Sequence, residues 1–329
     1  MTRVFVTGGT GFVGANLCRR LLAEGHAVHL LVRAEHDSWR ITEIRGDVTL
    51  HEVSLGDPDR LTDLLREIRP DTVFHLAVHG GYPTQVDERQ MIETNFIGTL
   101  NLLEACLRAD VATFVNTGSS SEYGLKDHAP AENEPVDPDS CYALTKVSAT
   151  LLCRLMARKH GLHVPTLRLY SVYGPYEEPS RLMPTLIVHG FHGRLPPLVA
   201  PEVARDLVAV NDVCDAYLRA AICRTSEPGP IYNVGTGSQT TVREVVALAR
   251  ALLPITDTPV WGSLPNRQWD TSTWVANTQK IRAELEWSPR ISLRSGFEQM
   301  IAWLRDDPTR RARYERIILA ARVAADGSG

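Results

Sequence analysis

The stretch "VTGGTGFVGANL" (residues 6–17) leaves an apolar run, "RVFVT" (3–7), and enters a helical pattern, "FVGANLCRRLLAEG" (12–25), stopped by Gly25. Gly8, Gly11 and Gly14 thus form G-x-x-G-x-x-G between a first strand and a first helix. Glycine at these positions allows a tight turn, close approach of a pyrophosphate to the backbone, and close helix–strand packing. The helix N-terminus adds N–H donors and a partial positive charge. A glycine triplet alone is weak evidence; its placement between strand and helix predicts a dinucleotide-binding turn.

The alternation continues outward from that turn. Apolar runs at 27–32 ("AVHLLV"), 72–77 ("TVFHLA"), 112–117 ("ATFVNT") and 164–170 ("VPTLRLY") read as strands. Helical patterns fall between them at 59–68, at 92–109 and over a segment from Tyr142 to about His160. Near-continuous apolar strands alternating with helices predict an α/β chain: a doubly wound parallel sheet, the Rossmann arrangement, covered on both faces. Residues 1–174 are expected to form the dinucleotide-binding domain and to carry the catalytic residues. Beyond 174, proline-rich stretches ("GPYEEPS", "RLPPLVAPEVA", "TSEPGP") interrupt shorter elements. Residues 175–329 are expected to supply mainly a smaller substrate-binding lobe over the sheet's C-terminal edge, where such sheets bind ligands. The chain is expected to weave between the two lobes.

Composition narrows the partners. Of 329 residues, 43% are hydrophobic and 22% charged, ordinary for a soluble globular protein. A net charge of −4 gives no electrostatic reason to expect nucleic acid or an anionic membrane. No apolar run approaches the roughly 18 residues a membrane span needs, and the first residues lack the apolar core of a signal peptide. A cytoplasmic location is expected. The six cysteines are scattered without C-x-x-C or zinc-ligand spacing and read as free, mostly buried thiols. No metal site is expected; His160 and His163, in "HGLH", read as a surface feature.

Two local patterns carry chemistry. Arg33 stands directly after the second strand, where an arginine accommodates the 2′-phosphate of NADP and a carboxylate would hold the ribose of NAD. Arg33 favours NADP (NADPH), with Arg40 further on, while Glu35 and Asp37 keep NAD open as the alternative. "SCYALTKVSA" (140–149) places Tyr142 and Lys146 four residues apart, so they share one helix face.

In order and spacing, "VTGGTGFVG" (6–14), "VFHLAV" (73–78), "TNFIGTLNLLEAC" (94–106), "NTGSSSEYG" (116–124), Y-x-x-x-K (142–146), "LRLYSVYGP" (167–175), "RDLVAVNDV" (205–213), "YNVGTG" (232–237) and R-x-x-D (267–270) follow one another along the chain. Over almost its full length the chain resembles the extended short-chain dehydrogenase/reductases, the nucleotide-sugar epimerase, dehydratase and ketoreductase group. The resemblance implies that Tyr142 is the acid/base exchanging a proton with the substrate oxygen as hydride moves. It implies that Lys146, with the positive charge of an oxidised nicotinamide, lowers the tyrosine pKa from its usual value near 10, that Lys146 holds the nicotinamide ribose, and that Ser119 bonds the same substrate oxygen. Expected cofactor contacts are Gly8, Thr10, Gly11, Phe12, Val13, Gly14, Arg33, Ser54, Leu55, Leu76, Ala77, Val78, Asn95, Thr117, Tyr142, Lys146, Tyr170 and Val172. Expected substrate contacts are His79, Ser119, Ser120, Ser121, Tyr142, Ser171, Arg205, Leu207, Arg267 and Asp270, the two arginines and Asp270 gripping the nucleotide diphosphate and its ribose.

Three departures from the family pattern shape the reading. Ser54 stands where the family often has an Asp against the adenine, and Ser171 where an asparagine commonly contacts the sugar nucleotide. The 4,6-dehydratases carry Thr-Asp-Glu where this chain has Ser119, Ser120 and Ser121, which leaves no acid placed to eliminate water. The cysteine of the reductase-epimerase pattern is likewise replaced, by Ser121. The expected function is NADPH-dependent reduction of the C4 keto group of a nucleotide-linked 4-keto-6-deoxyhexose. The alternative is an NAD-dependent 4-epimerase, and a non-catalytic dinucleotide sensor is the least favoured reading. The partners expected are a nucleotide-sugar substrate and a second copy of the chain, in a homodimer packed through the helices near 95–108 and 142–158.

Overall fold

The computed structural model describes residues 2–81, 85–267 and 270–326. Six strands lead the chain through its first half: β1 (Arg3–Thr7), β2 (Ala27–Val32), β3 (Val48–Glu52), β4 (Thr72–His75), β5 (Thr113–Ser119) and β6 (Thr166–Leu169). Short strands β7 (Ser171–Tyr173), β8 (Ala204–Arg205) and β9 (Leu207–Ala209) follow, then β10 (Ile231–Val234) and β11 (Thr240–Thr241). The main sheet is seven-stranded, entirely parallel, in the order β10-β6-β5-β4-β1-β2-β3. Strand order reverses between β1 and β4, which makes the crevice outside their C-terminal ends the natural ligand site.

The helices are α1 (Phe12–Ala23), α2 (Pro58–Ile68), α3 (Glu88–Ile92), α4 (Gly98–Arg108), α5 (Cys141–His160), α6 (Leu182–Phe191), α7 (Val210–Ile222), α8 (Val242–Leu252), α9 (Gln279–Leu285), α10 (Leu293–Arg305) and α11 (Pro308–Asp326). Successive residues of β1 point to opposite faces, as the two-residue period of a strand requires. Val4 and Val6 join a core with α1, α7 and α9 residues such as Leu17, Val213 and Ile281. Phe5 joins the other core, with Leu61 and Leu65 of α2, Leu102 of α4 and Cys153 of α5. Burial of each such large side chain is worth about 1.5–3 kcal/mol, so neither face of the sheet could stay uncovered. A third core, with Leu186, Val245, Phe297 and Tyr314, lies among α6, α8, α10 and α11.

The differences from the sequence-based expectation have physical reasons. β3 pairs only with β2, at the sheet's edge, and its half-exposed "VTLHE" lacks the apolar run that marks a central strand. The helix expected from 92 begins at Glu88 and passes through a π-helical turn, Glu93–Ile97, before α4. β5 runs two residues further than expected and so brings Ser119 to the sheet's edge, whereas β6 stops at Leu169. From the second half, β10 returns to the main sheet beside β6, with Ile231 opposite Thr166. His163 is buried rather than superficial: it lies under the sheet's edge and its ring bonds the Ala220 carbonyl (2.9 Å). No helix among the described residues is long and apolar enough to cross a membrane.

Candidate active site

The glycine turn is built in three different ways. At Gly8, with φ +72°, a Cβ would lie 2.5 Å from the backbone of Leu76, so this glycine lets the turn touch the end of β4. At Gly14 a Cβ would lie 2.2 Å from the Gly8 carbonyl oxygen, so helix and turn could not close. At Gly11, the residue before α1, a Cβ would meet only the Gly8 oxygen, at 3.2 Å. The protein crowds two of the glycines itself and leaves the third facing outward. That cradle fits a pyrophosphate at the N-terminus of α1, flanked by Thr10, Phe12 and Val13.

The rest of the cofactor crevice rises from neighbouring strand ends. Arg33 is exposed immediately after β2. Asp37 accepts from the Trp39 N–H (3.1 Å) and pairs with Arg313 of α11 (3.0 Å). Arg40 is buried, bonding the Tyr176 carbonyl (2.8 Å) and Glu178 (2.9 Å). Of the four charged groups weighed for this position, only Arg33 and Glu35 keep clear of these ties. Ser54 is exposed, its hydroxyl accepting from the Gly56 N–H (3.1 Å), and the Leu55 carbonyl accepts from Asn101 (2.8 Å). Leu76, Ala77 and Val78 leave β4 beside the glycine turn; the Ala77 N–H bonds Thr7 Oγ1 (3.2 Å).

A chain of buried groups supports that segment. Thr7 Oγ1 bonds His75 Nδ1 (2.7 Å), His75 Nε2 bonds Thr99 Oγ1 (2.9 Å), and Thr99 donates to the Asn95 carbonyl (2.7 Å). Burial, with Lys146 nearby, pushes His75 down to about 3, so it serves as a neutral link. The Asn95 amide accepts from the His79 N–H (2.8 Å) and donates to the His79 carbonyl (2.8 Å) and Thr145 Oγ1 (2.9 Å). Both amide hydrogens and the oxygen are thereby engaged, so Asn95 braces the 77–79 segment against α5 instead of reaching a ligand. Thr117 is engaged in the same way, donating to the His75 carbonyl (2.7 Å) and bonding the Tyr217 hydroxyl (2.6 Å).

Ser119, Tyr142 and Lys146 come together where β5 ends against α5. Ser140 caps α5 by accepting from the Ala143 N–H (3.2 Å), which fixes the helix start at Cys141, one residue before Tyr142. Gly161, at φ 69°, ends it after three basic residues that suit the negative end of the helix dipole. The Ser119 hydroxyl lies close enough to the Tyr142 phenol to pull its pKa down. Ser119 Oγ also accepts from the Ser121 N–H (3.2 Å) and lies 2.7 Å from Ser121 Oγ. Tyr142 is half-buried and Lys146 buried. The expected lowering of the phenol pKa by Lys146 is not what the protein alone does. Burial raises the phenol above its ordinary value, Ser119 and Arg181 pull the other way, and Glu122 pushes it further up. Burial depresses the Lys146 ammonium, against Glu122 and Cys153.

On the substrate side, Ser120 is buried at the turn and Ser121 half-buried. Tyr170 is buried, and its hydroxyl has no hydrogen-bond partner among the described residues. The Ser171 N–H bonds the Asp206 carbonyl (3.0 Å) at the start of β7, which pairs with β9, holding Val172 opposite Val208 and Ser171 opposite Leu207. Arg205 pairs with Asp270 (2.6 Å) and lies over the Trp274 ring (5.5 Å), and Asp270 also accepts from the Arg267 N–H (2.9 Å). Arg181 and Arg267 both act on the Arg205 charge. Positive charge thus gathers around Arg205 at this end of the cleft, which suits a diphosphate.

Sequence reasoning passed over four of these groups. Arg181 lies within electrostatic reach of both Tyr142 and Arg205 and so links the two ends of the cleft. Its own partner, Glu177 (3.3 Å), is buried and pushed up to about 7 by that burial. Asp206 accepts from the Thr236, Gly237 and Ala276 N–H groups (2.7, 2.9 and 3.0 Å), tying "YNVGTG" to the loop after Asp270. Glu122 and Arg168 form a fully buried ion pair (2.8 Å) under Ser119. The spacing Ser119-x-x-Glu122 is itself a capping-box signature and was there to be read.

A glycine turn shaped for pyrophosphate, with a serine, tyrosine and lysine grouped beside it, is the arrangement of the extended short-chain dehydrogenase/reductase fold. The model of the NAD dependent epimerase/dehydratase family matches residues 4–235, and the chain belongs to that family. It is 30% identical to UDP-glucose 4-epimerase of Mycolicibacterium smegmatis over 92% of this chain and 99% of that one. It is 31% identical to dTDP-6-deoxy-L-talose 4-dehydrogenase (NAD(P)(+)) of Kitasatospora kifunensis, covering 91% and 94%. The crystal structure of Thermus thermophilus UDP-glucose 4-epimerase in complex with NAD superposes with a TM-score of 0.81 at 30% identity, covering 92% and 99%. The chain is an enzyme of this kind.

Proposed function

We propose that this enzyme reduces the C4 keto group of a nucleotide-linked 4-keto-6-deoxyhexose with NADPH, in the cytoplasm. The nicotinamide, when bound, supplies the hydride. Ser119 orients the substrate oxygen, Tyr142 gives it a proton, and Lys146 holds the ribose beneath. Arg181, Arg205 and Arg267 grip the diphosphate, with His79, Ser120, Ser121, Ser171 and Leu207 around the sugar. A phenol held above its ordinary range stays protonated at neutral pH, as a proton donor must. The observation that carries the choice of NADPH is the end of β2, where Arg33 is exposed directly after the strand and Asp37 is tied to Arg313, leaving Glu35 as the carboxylate that would serve NAD.

Dehydration is not proposed, although several relatives are dTDP-glucose 4,6-dehydratases. Ser120 and Ser121 carry no acid, and the carboxylate that follows them, Glu122, is wholly buried against Arg168. The second reading, an NAD-dependent 4-epimerase, is favoured by the similarity to UDP-glucose 4-epimerases. One assay separates them. A 4-keto-6-deoxyhexose nucleotide should consume NADPH stoichiometrically, and a 6-hydroxyhexose nucleotide should yield no 4-keto-6-deoxy product. Interconversion of C4 epimers with catalytic NAD and no net reduction would establish the epimerase instead.

The cofactor reading has its own test. A charge-assisted contact from Arg33 to a 2′-phosphate is among the stronger hydrogen-bonding arrangements available. Arg33→Ala should weaken NADPH binding by about 1.5–3 kcal/mol, ten- to a hundredfold, and leave NADH nearly unchanged. Equal losses for both cofactors, or none, would remove Arg33 from this role.

A homodimer belongs to the same proposal. Ile92, Ile97, Leu144, Leu151 and Leu155 are exposed along α3, α5 and the turn before α4, an apolar stripe that a second copy of the chain would cover. A solution mass of one chain would speak against it.

A further inference from the structure

We propose that Glu122 is a positioning residue for Ser119, Tyr142 and Lys146: its buried carboxylate anchors the Ser119 backbone and supplies the negative charge that the Lys146 ammonium faces. This inference rests on the catalytic reading of those three residues. The carboxylate is completely enclosed. One oxygen accepts from the Ser119 N–H (2.9 Å) and from Thr150 Oγ1 (3.1 Å) of α5, and the other from Arg168 Nε of β6 (2.8 Å). It therefore joins β5, β6 and α5 at the point where the catalytic side chains meet.

The sequence makes room for it. A Cβ on Gly118 would lie 2.7 Å from that same carboxylate oxygen, so the residue before Ser119 is glycine because Glu122 occupies its side-chain space. Arg168 is held in turn, its guanidinium stacked on the Tyr123 ring (4.4 Å), while the Tyr123 hydroxyl donates to Asn233 (2.7 Å). A buried charge pair is costly to assemble and is weak evidence for stability. Its placement directly behind the acid/base group points to function.

The electrostatic consequences have a definite sign. The groups acting on Tyr142 are Ser119, Glu122 and Arg181, and Tyr142 in turn faces Tyr217 of α7. Those acting on Lys146 are Glu122 and Cys153, and Lys146 in turn faces His75 of β4. The Glu122 charge works against burial at Lys146 and with burial at Tyr142. Removing it makes the phenolate easier to form and the ammonium easier to lose.

The test uses the whole enzyme and two readouts. The first is the ultraviolet titration of the Tyr142 phenolate, taken as the difference between each protein and its Tyr142→Phe counterpart. The second is the pH profile of turnover. Glu122→Gln should move the Tyr142 titration to lower pH by about one unit, the lower end of what a neighbouring charge does. The Tyr142-dependent limb of the profile should move with it. Glu122→Asp keeps the charge but withdraws it from Ser119, so it should lower kcat several-fold with the titration in place. Should Glu122→Gln fail to fold, the Glu122→Gln/Arg168→Met pair, which removes both charges, should lower kcat while returning the limb toward wild type. An unshifted titration in folded Glu122→Gln, or full kcat in Glu122→Asp, overturns the inference. Retained turnover in Tyr142→Phe would instead overturn the catalytic reading beneath it.

Discussion

Tyr142→Phe should fold, bind cofactor as the wild type does, and lose turnover by about 10²-fold or more, the usual scale for a positioned acid/base. The change is small in packing terms, since the ring stays and only the hydroxyl beside Ser119 goes. Helix α5 is held by its Ser140 cap, by Gly161 and by Thr150 bonded to Glu122, none of which involves the phenol. The loss should therefore appear in kcat, with cofactor affinity and thermal unfolding close to wild type. The wild-type pH profile should carry the same signature. In the reductive direction the phenol must be protonated, so turnover should hold through neutrality and fall as pH rises past the raised phenol pKa. Near-normal turnover in Tyr142→Phe would remove the residue from catalysis.

What could be read from the sequence was what short spacing determines. Gly8, Gly11 and Gly14 fall within seven residues, Tyr142 and Lys146 within one helical turn, and the strands alternate with helices at ordinary length. The sheet and the grouping of Tyr142 and Lys146 on one face of α5 followed from these. What could not be read depended on strand neighbours and burial. Glu122 announces itself as a cap, but its partner Arg168 lies 46 residues on and meets it only because β5 and β6 pair with Gly118 opposite Arg168. The tie between Asp37 and Arg313 spans 276 residues and decides which charges remain at the end of β2. The upward push of burial on Tyr142 in the protein alone could not be read for the same reason. A spacing of four residues says that Lys146 is near, not how much solvent is lost.

Gly11→Val should abolish dinucleotide binding in a protein that still folds. Gly11 has φ −80° and ψ 175°, extended backbone that valine adopts without strain. Its Cβ would have one close neighbour, the Gly8 oxygen at 3.2 Å, which a shift of a few tenths of an ångström relieves. Valine is a poorer residue than glycine to precede a helix, at a cost of about 1 kcal/mol, small against the stability of a domain this size. The same substitution at Gly8 or Gly14 would collide with backbone at 2.5 or 2.2 Å and would test folding instead. At Gly11 the added methyl groups fill space the protein leaves open at the start of α1, where a pyrophosphate would meet the backbone N–H groups. Each charge-assisted hydrogen bond lost there is worth about 1.5–3 kcal/mol, so losing two weakens binding by roughly 10²- to 10⁴-fold. Calorimetry with NADH and NADPH should show no binding heat at concentrations that saturate the wild type. Both cofactors should be lost together, unlike the selective loss at Arg33, because the pyrophosphate is common to them. Undiminished affinity in a folded Gly11→Val protein would make the loop a structural turn only.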